Sequence, residues 1–175
     1  MTRMVAMLRS VNVGGRNKLP MAEFRDLLGE LGFERVETYI QSGNAVFATE
    51  QTEQRAAEAI RAALADRFGI ETPVLIRSAT ELREVLAADP FADRGLDPSQ
   101  VIVSFLADPP PQPLEVPDGQ PEEAHTIGRE VWVHYPTGLG KSKLDRTPFW
   151  KPLGKAPVTA RNLRSVQKLT EMTEA

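Results

Sequence analysis

Two short strings hold most of the groups in this sequence that could do chemistry. Leu8-Arg9-Ser10-Val11-Asn12-Val13-Gly14-Gly15-Arg16-Asn17-Lys18 sets a glycine pair among three cations and two amides, just after an apolar run. Gly14 and Gly15 permit left-handed backbone and close approach of N–H groups to a ligand. Arg9, Arg16, Asn17 and Lys18 add donors suited to a phosphate or carboxylate through charge-assisted hydrogen bonds. Asn12 reads equally well as a turn residue bonding its own backbone. The second string, Thr38-Tyr39-Ile40-Gln41-Ser42-Gly43-Asn44, offers Gln41, Ser42 and Asn44 as polar side chains on one turn. A tight hairpin selects these residue types even without a ligand.

Two further groups lie near the C-terminus. Gly140-Lys141-Ser142 invites comparison with a phosphate-binding loop, but that motif needs glycine five residues before Gly140, where this chain has Tyr135. A nucleoside triphosphatase is therefore excluded. A simple anion contact by Lys141, Ser142 and Lys143 remains open. Thr159-Ala160-Arg161-Asn162 reads as the start of a helix over 160–172, with Thr159 as N-cap and Arg161 and Asn162 near free N–H groups that favour an anion. The alternative is a solvated basic helix face.

Groups for catalysis are scarce. The chain has no cysteine and two histidines, His125 and His134, which rules out thiolate zinc sites and leaves little for any metal. No serine sits in a nucleophile-elbow context. Glu23 and Glu37 have no distinguishing spacing. No catalytic residue and no cofactor is assigned.

The elements that must position these groups follow from periodicity. The chain has 175 residues, 41% hydrophobic and 26% charged, with net charge −3, which suits one globular domain or two small ones. Residues 1–20 carry four basic side chains and no acid, and residues 138–175 carry eight basic and three acidic ones, so the middle is strongly acidic. The basic ends could meet as an anion site on an acidic body, a body that argues against nonspecific nucleic-acid coating. No apolar run approaches a membrane span, and a cytoplasmic protein without a membrane partner is expected.

Met4 to Leu8 reads as a central strand covered on both faces. Pro20 opens a helix with Met21, Phe24, Leu27, Leu28 and Leu31 on one face, ended by Gly32. A half-buried strand around Val36 to Ile40 turns into a partner at Ala45 to Ala48. A helix over about 52–68 and a strand at Thr72 to Arg77 follow. This β-α-β-β-α-β order predicts an α+β fold with a ferredoxin-like N-terminal unit. In that topology the loop after the first strand and the hairpin after the second leave the same edge of the sheet.

Ser78 and Glu81 have capping-box spacing for a short helix to about Ala88. Domains are expected at 1–89 and 100–175, joined by a linker at 90–99. In the second, Val101 to Leu106 is a strand, and 108–121, with six prolines, is an extended loop. A hairpin pairs Ala124–Ile127 with Val131–Tyr135. Helices at about 141–152 and 160–172 complete a smaller unit, related to the first by strand order alone.

The strings together resemble the bacterial family catalogued as domain of unknown function 1697. Arg9, Asn12, Gly14-Gly15, Met21 and Thr38 to Asn44 carry the likeness, joined by Tyr135-Pro136, Gly138 to Leu144 and Thr159 to Asn162. The resemblance implies a soluble, two-part α+β protein and leaves its biochemical role open.

Two functions compete. One is binding of a phosphorylated or otherwise anionic ligand, a nucleotide or an RNA end, by Arg9, Asn12, Gly14, Gly15, Asn17, Lys18, Gln41, Ser42, Asn44, Lys141, Ser142, Lys143, Arg161 and Asn162. Stacking of bases on the sheet is disfavoured, because the first strand has no aromatic residue and the third only Phe47. The other is a structural or protein-interaction role, with the same motifs fixing a domain or homodimer interface.

Overall fold

The computed structural model describes all 175 residues. The chain divides into two compact units, Met1–Arg83 with Lys168–Ala175, and Glu84–Gln167.

The first unit is built from β1 (Thr2–Leu8), α1 (Met21–Glu30), β2 (Glu34–Tyr39), β3 (Asn44–Thr49), α2 (Glu53–Phe68), β4 (Val74–Ser78) and α3 (Ala79–Ala87). The boundary between the two units falls within α3. The expected β-α-β-β-α-β succession is the one observed, as an antiparallel sheet in the order β2-β3-β1-β4. Met4 to Leu8 are all buried, as a central strand requires. Met4, Ala6 and Leu8 join Phe24 and Leu28 of α1 and Ile60 and Leu64 of α2 in one core. Phe33 and Phe47 stack within it at 4.6 Å.

Local signals end these helices where the sequence places the stops. Thr52 accepts a hydrogen bond from the Arg55 N–H at the start of α2. Gly69, at φ 64°, closes its other end. The capping box before α3 is complete: the Ser78 N–H donates to Glu81 Oε2 at 2.7 Å, and the Glu81 N–H to Ser78 Oγ at 3.2 Å.

The second unit holds β5 (Val101–Leu106), β6 (Glu123–Ile127), β7 (Glu130–His134) and β8 (Val158–Asn162), and α4 (Leu163–Thr173) starts in it. Its antiparallel sheet runs β6-β7-β5-β8. This is the order of the first sheet with each strand replaced by its successor four places on. Where the first unit covers its sheet with two helices, the second uses Leu114 from the proline-rich loop and Leu144, Phe149 and Leu153 from 3₁₀ turns.

Two sequence expectations are corrected here. The helix expected at 141–152 is three short 3₁₀ turns, 139–141, 144–146 and 148–153. Pro148 and Pro152 lack the N–H that α-helical bonding needs. The helix expected from 160 begins instead at Leu163, and Thr159 to Asn162 belong to β8. Asn162, not Thr159, caps α4, its Oδ1 accepting from the Ser165 N–H at 2.9 Å. Ile102 and Val103 on β5 hold the segment in the sheet as partners of Asn162 and Arg161.

Residues 90–99 belong to the second unit and are mostly exposed, with Phe91 as their buried anchor. Phe91 is buried, with its ring edge-on to His125 at 5.4 Å and the Arg94 guanidinium 5.4 Å from its centroid. Arg94 Nη1 donates to both carboxylate oxygens of Glu123, at 3.1 and 2.9 Å, and His125 Nε2 lies 2.7 Å from Glu123 Oε2. The Arg94 hydrogen bonds, then that of His125, hold the Glu123 carboxyl down at about 2. A carboxyl depressed by folding stabilises the fold above its unfolded pKa and loses that contribution as pH falls through the folded value. Stability is thus expected to decline between about pH 4.5 and about pH 2 less steeply in Arg94→Ala than in the native chain. Urea midpoints measured across that range check this. The difference should shrink in high salt, because the pair is partly exposed.

Candidate functional site

The loop after β1 is fastened at both ends. Arg9 sits against Thr72 just before β4: its N–H donates to Thr72 Oγ1 at 3.2 Å, and Thr72 Oγ1 donates to the Arg9 carbonyl at 2.6 Å. The chain then doubles back on itself. The Asn12 N–H reaches the Asn17 carbonyl at 3.1 Å, and the Arg16 N–H reaches the Val13 carbonyl at 3.0 Å. Gly14 at φ 58° and Gly15 at φ 75° occupy the two central turn positions, where a type I′ turn needs positive φ. Asn17 Nδ2 donates to the Ser10 carbonyl at 3.1 Å.

Asn12 joins the two strings. Its Oδ1 accepts from the Leu19 N–H at 2.7 Å, and its Nδ2 donates to the carbonyls of Leu19 at 2.9 Å and Gln41 at 2.8 Å. The Leu8 N–H adds a bond to the Gly43 carbonyl at 2.9 Å. The glycine loop and the hairpin turn are therefore neighbours on one edge of the first sheet. Asn44 is fully buried, and its Nδ2 donates to the Tyr39 carbonyl at 3.2 Å. Gln41 is exposed, Ser42 half-buried.

Strained backbone gathers here. Ser10, Asn12, Asn17 and Ile40, at φ between 49° and 56°, are four of the six non-glycine residues with positive φ. Ile40 is β-branched, which makes its conformation costly, yet it is 49% exposed, and Val13 at the loop tip is 61% exposed. Arg9, Arg16 and Lys18 are exposed and enter no ion pair. The loop thus presents uncommitted positive charge and exposed apolar groups on a backbone held by side-chain amides.

The remaining sequence-chosen residues lie in the second unit. Lys141 and Lys143 are exposed around a 3₁₀ turn. Ser142 between them is engaged: its Oγ donates to Glu122 Oε1 at 3.2 Å and accepts from the Leu144 N–H at 3.1 Å. Arg161 is buried on β8, donating to Thr159 Oγ1 at 2.8 Å and the Ala160 carbonyl at 2.9 Å. Burial lowers its guanidinium to about 10. Asn162 is taken up by the α4 cap. Ser142, Arg161 and Asn162 are therefore seen holding their own unit together.

Sequence reasoning passed over Thr72 and Glu122. Glu122 is buried with Oε2 lacking a hydrogen-bond partner. Burial, followed by Asp145 and Glu122, raises the nearby Tyr135 phenol above its ordinary range. Neither Thr72 nor Glu122 lies in a motif, and both act across long sequence separations.

A family model described as a protein of unknown function, DUF1697, matches residues 1–132. The chain belongs to that family. No curated protein matches it. Its fold is similar to a solved structure described as conserved bacterial protein SP0830 from Streptococcus pneumoniae, with TM-score 0.71, 26% identity and 98% of each chain covered. The DUF1697 match contains both strings of the first unit and ends within β7, before Gly138 to Lys143 and Thr159 to Asn162. The likeness to the streptococcal protein continues through those segments, since it spans nearly the whole chain. No helix is long and apolar enough to cross a membrane.

Proposed function

We propose that the first unit, read as a ferredoxin-like frame, binds a phosphorylated or otherwise anionic ligand, such as a nucleotide or an RNA end, at the loop Arg9 to Lys18 beside the hairpin turn. The observation behind this reading is the trio Arg9, Arg16 and Lys18, exposed and without ion pairs around a fastened glycine turn. No backbone carbonyl takes the N–H of Gly14, Gly15 or Lys18, so the turn offers neutral donors among the cations. Asn12 and Asn17 position this backbone instead of touching the ligand, and Asn44 holds the hairpin. Gln41 and Ser42 remain available at the rim. Ser142, Arg161 and Asn162 contribute to the second unit's own structure, and Lys141 and Lys143 are an exposed basic pair of that unit.

Thermal unfolding with inorganic phosphate, adenosine monophosphate and a short 5′-phosphorylated RNA tests the reading. A ligand at a hundred times its Kd stabilises by about 2.7 kcal/mol. That gain is expected in the native chain and is expected to vanish in the triple variant Arg9→Ala/Arg16→Ala/Lys18→Ala. No gain with any of the three, or a gain the triple variant keeps, refutes it. Loss in Lys141→Ala/Lys143→Ala alone would move the anion contact to the second unit.

The exposed Val13 and Ile40 favour a second reading, an interaction surface that includes a homodimer. In that case Val13→Asp lowers the sedimentation coefficient of an associated native chain and leaves phosphate without effect.

A further inference from the structure

A cleft of about 560 Å³ lies in the first unit along β2, with no residue of the glycine loop in its lining. That volume is within the range of about 300–1,000 Å³ typical of ligand sites. One wall is Val36, Glu37, Thr38 and Tyr39, four consecutive residues. Successive side chains of a strand point to opposite faces, so a cleft lying on one face would take alternate residues. One that takes all four runs along the strand's edge. Strand β2 is an edge strand paired only with β3, and its outer edge presents backbone groups able to accept another strand.

The opposite wall is Lys168, Glu171, Met172 and Ala175. These positions, spaced by three and four, form one face of α4 and the residues just after it. A groove between a sheet edge and a helix receives an extended chain by strand addition.

Arg3 fixes the width of this groove. Its Nη1 donates to the Arg35 carbonyl at 2.9 Å, its Nη2 to the Met172 carbonyl at 3.1 Å, and Glu37 lies 3.9 Å away. Arg35 in turn donates to the Ala175 carbonyl. The helix end is thereby pinned to the start of β2, while the Tyr39 end carries no such clamp.

The geometry points to a peptide-docking site, in which an extended segment of a partner protein, bearing an acidic side chain, adds as a strand to β2 in the groove against α4. The acidic preference follows from the charges lining the groove. Glu37 faces Arg3, and Lys168 pairs with Glu171 at 3.7 Å. Arg25 of α1 is exposed, lines the groove and enters no ion pair. Its cation is the uncommitted charge. Thr38 and Tyr39, the first residues of the second string, acquire a role here that the anion reading does not use.

The test is a random heptapeptide phage library selected on the full chain and, in parallel, on Arg25→Glu, an exchange at an exposed helix position. Selection on the native chain should enrich peptides with an acidic residue at a fixed place among β-formers. Synthetic copies should bind the native chain at least about tenfold more tightly than Arg25→Glu, and selection on the variant should enrich a basic residue at that place. Hydrogen exchange should slow at amides within residues 36–39 on binding, and N-methylation of alternate peptide amides should abolish it. Binding should persist in Arg9→Ala/Arg16→Ala/Lys18→Ala, which separates this site from the anion reading. No enrichment, indifference to Arg25, or protection only elsewhere overturns the assignment. So does a dimer of the native chain that Thr38→Pro dissociates, which would give the edge to a second copy.

Discussion

Gly43→Ala is expected to destabilise the protein by about 2–4 kcal/mol, far more than its single methyl suggests. A Cβ at this position would stand 2.6 Å from Val11 Cγ2 and 2.8 Å from Leu8 Cβ, and real Cβ atoms do not sit that close. Leu8 Cβ is anchored to a central strand and cannot swing away. Overpacking of this kind costs about 1–3 kcal/mol, and φ of 81° adds about 1 kcal/mol for any residue with a side chain. In a chain of this length the melting temperature should fall by roughly 4–16 °C. Gly15→Ala is the control. It shares the positive φ, at 75°, but its Cβ would meet nothing within 4 Å. It should cost no more than about 1 kcal/mol. Urea denaturation of both variants separates the two terms, and equal losses would show that the close approach of hairpin to loop carries no weight.

Asn12→Ala should cost a similar amount, about 2–4 kcal/mol, for a different reason. Three hydrogen bonds disappear at once, and two of them satisfy the N–H and C=O of Leu19, which is fully buried. A buried backbone group left unpaired costs about 1–3 kcal/mol. Alanine is also a poorer occupant than asparagine of φ 56°. Asn12→Gly relieves only that strain, so it should recover about 1 kcal/mol relative to alanine and leave the rest of the loss intact. Native-state hydrogen exchange offers a residue-level check: the Leu19 amide should lose protection in both variants. If it stays protected, water or another group replaces the Asn12 side chain, and the amide is not the fastener between the two strings.

The residues best read from sequence are those whose signal is local. Helices α1 and α2 show in the spacing of Met21, Phe24, Leu27 and Leu28 and of Ile60 and Leu64, and the ends of α1 show in Pro20 and Gly32. The neighbourhood of glycine loop and hairpin followed from strand order alone. Strand β8 was hidden because its inward positions are Thr159 and Arg161, so the alternation that marks a strand carries no apolar period. The candidate site was chosen by its glycines and cations, whereas the work of the asparagines was not legible. Asn12, Asn17, Asn44 and Asn162 all bond backbone groups, and three of these four reach residues five or more places away or across the hairpin. Thr72 holds Arg9 from 63 residues further on, a relation that no spacing rule encodes.

The return of Lys168–Ala175 to the first unit sets an order of events during synthesis. The sheet and both covering helices of that unit are encoded before residue 80, so they can assemble while the rest of the chain is still being made. The groove beside β2 has no second wall until α4 emerges. Arg3 precedes the Met172 carbonyl that it clamps by 169 residues. A nascent chain therefore exposes an open β2 edge until α4 turns that edge into a bounded groove.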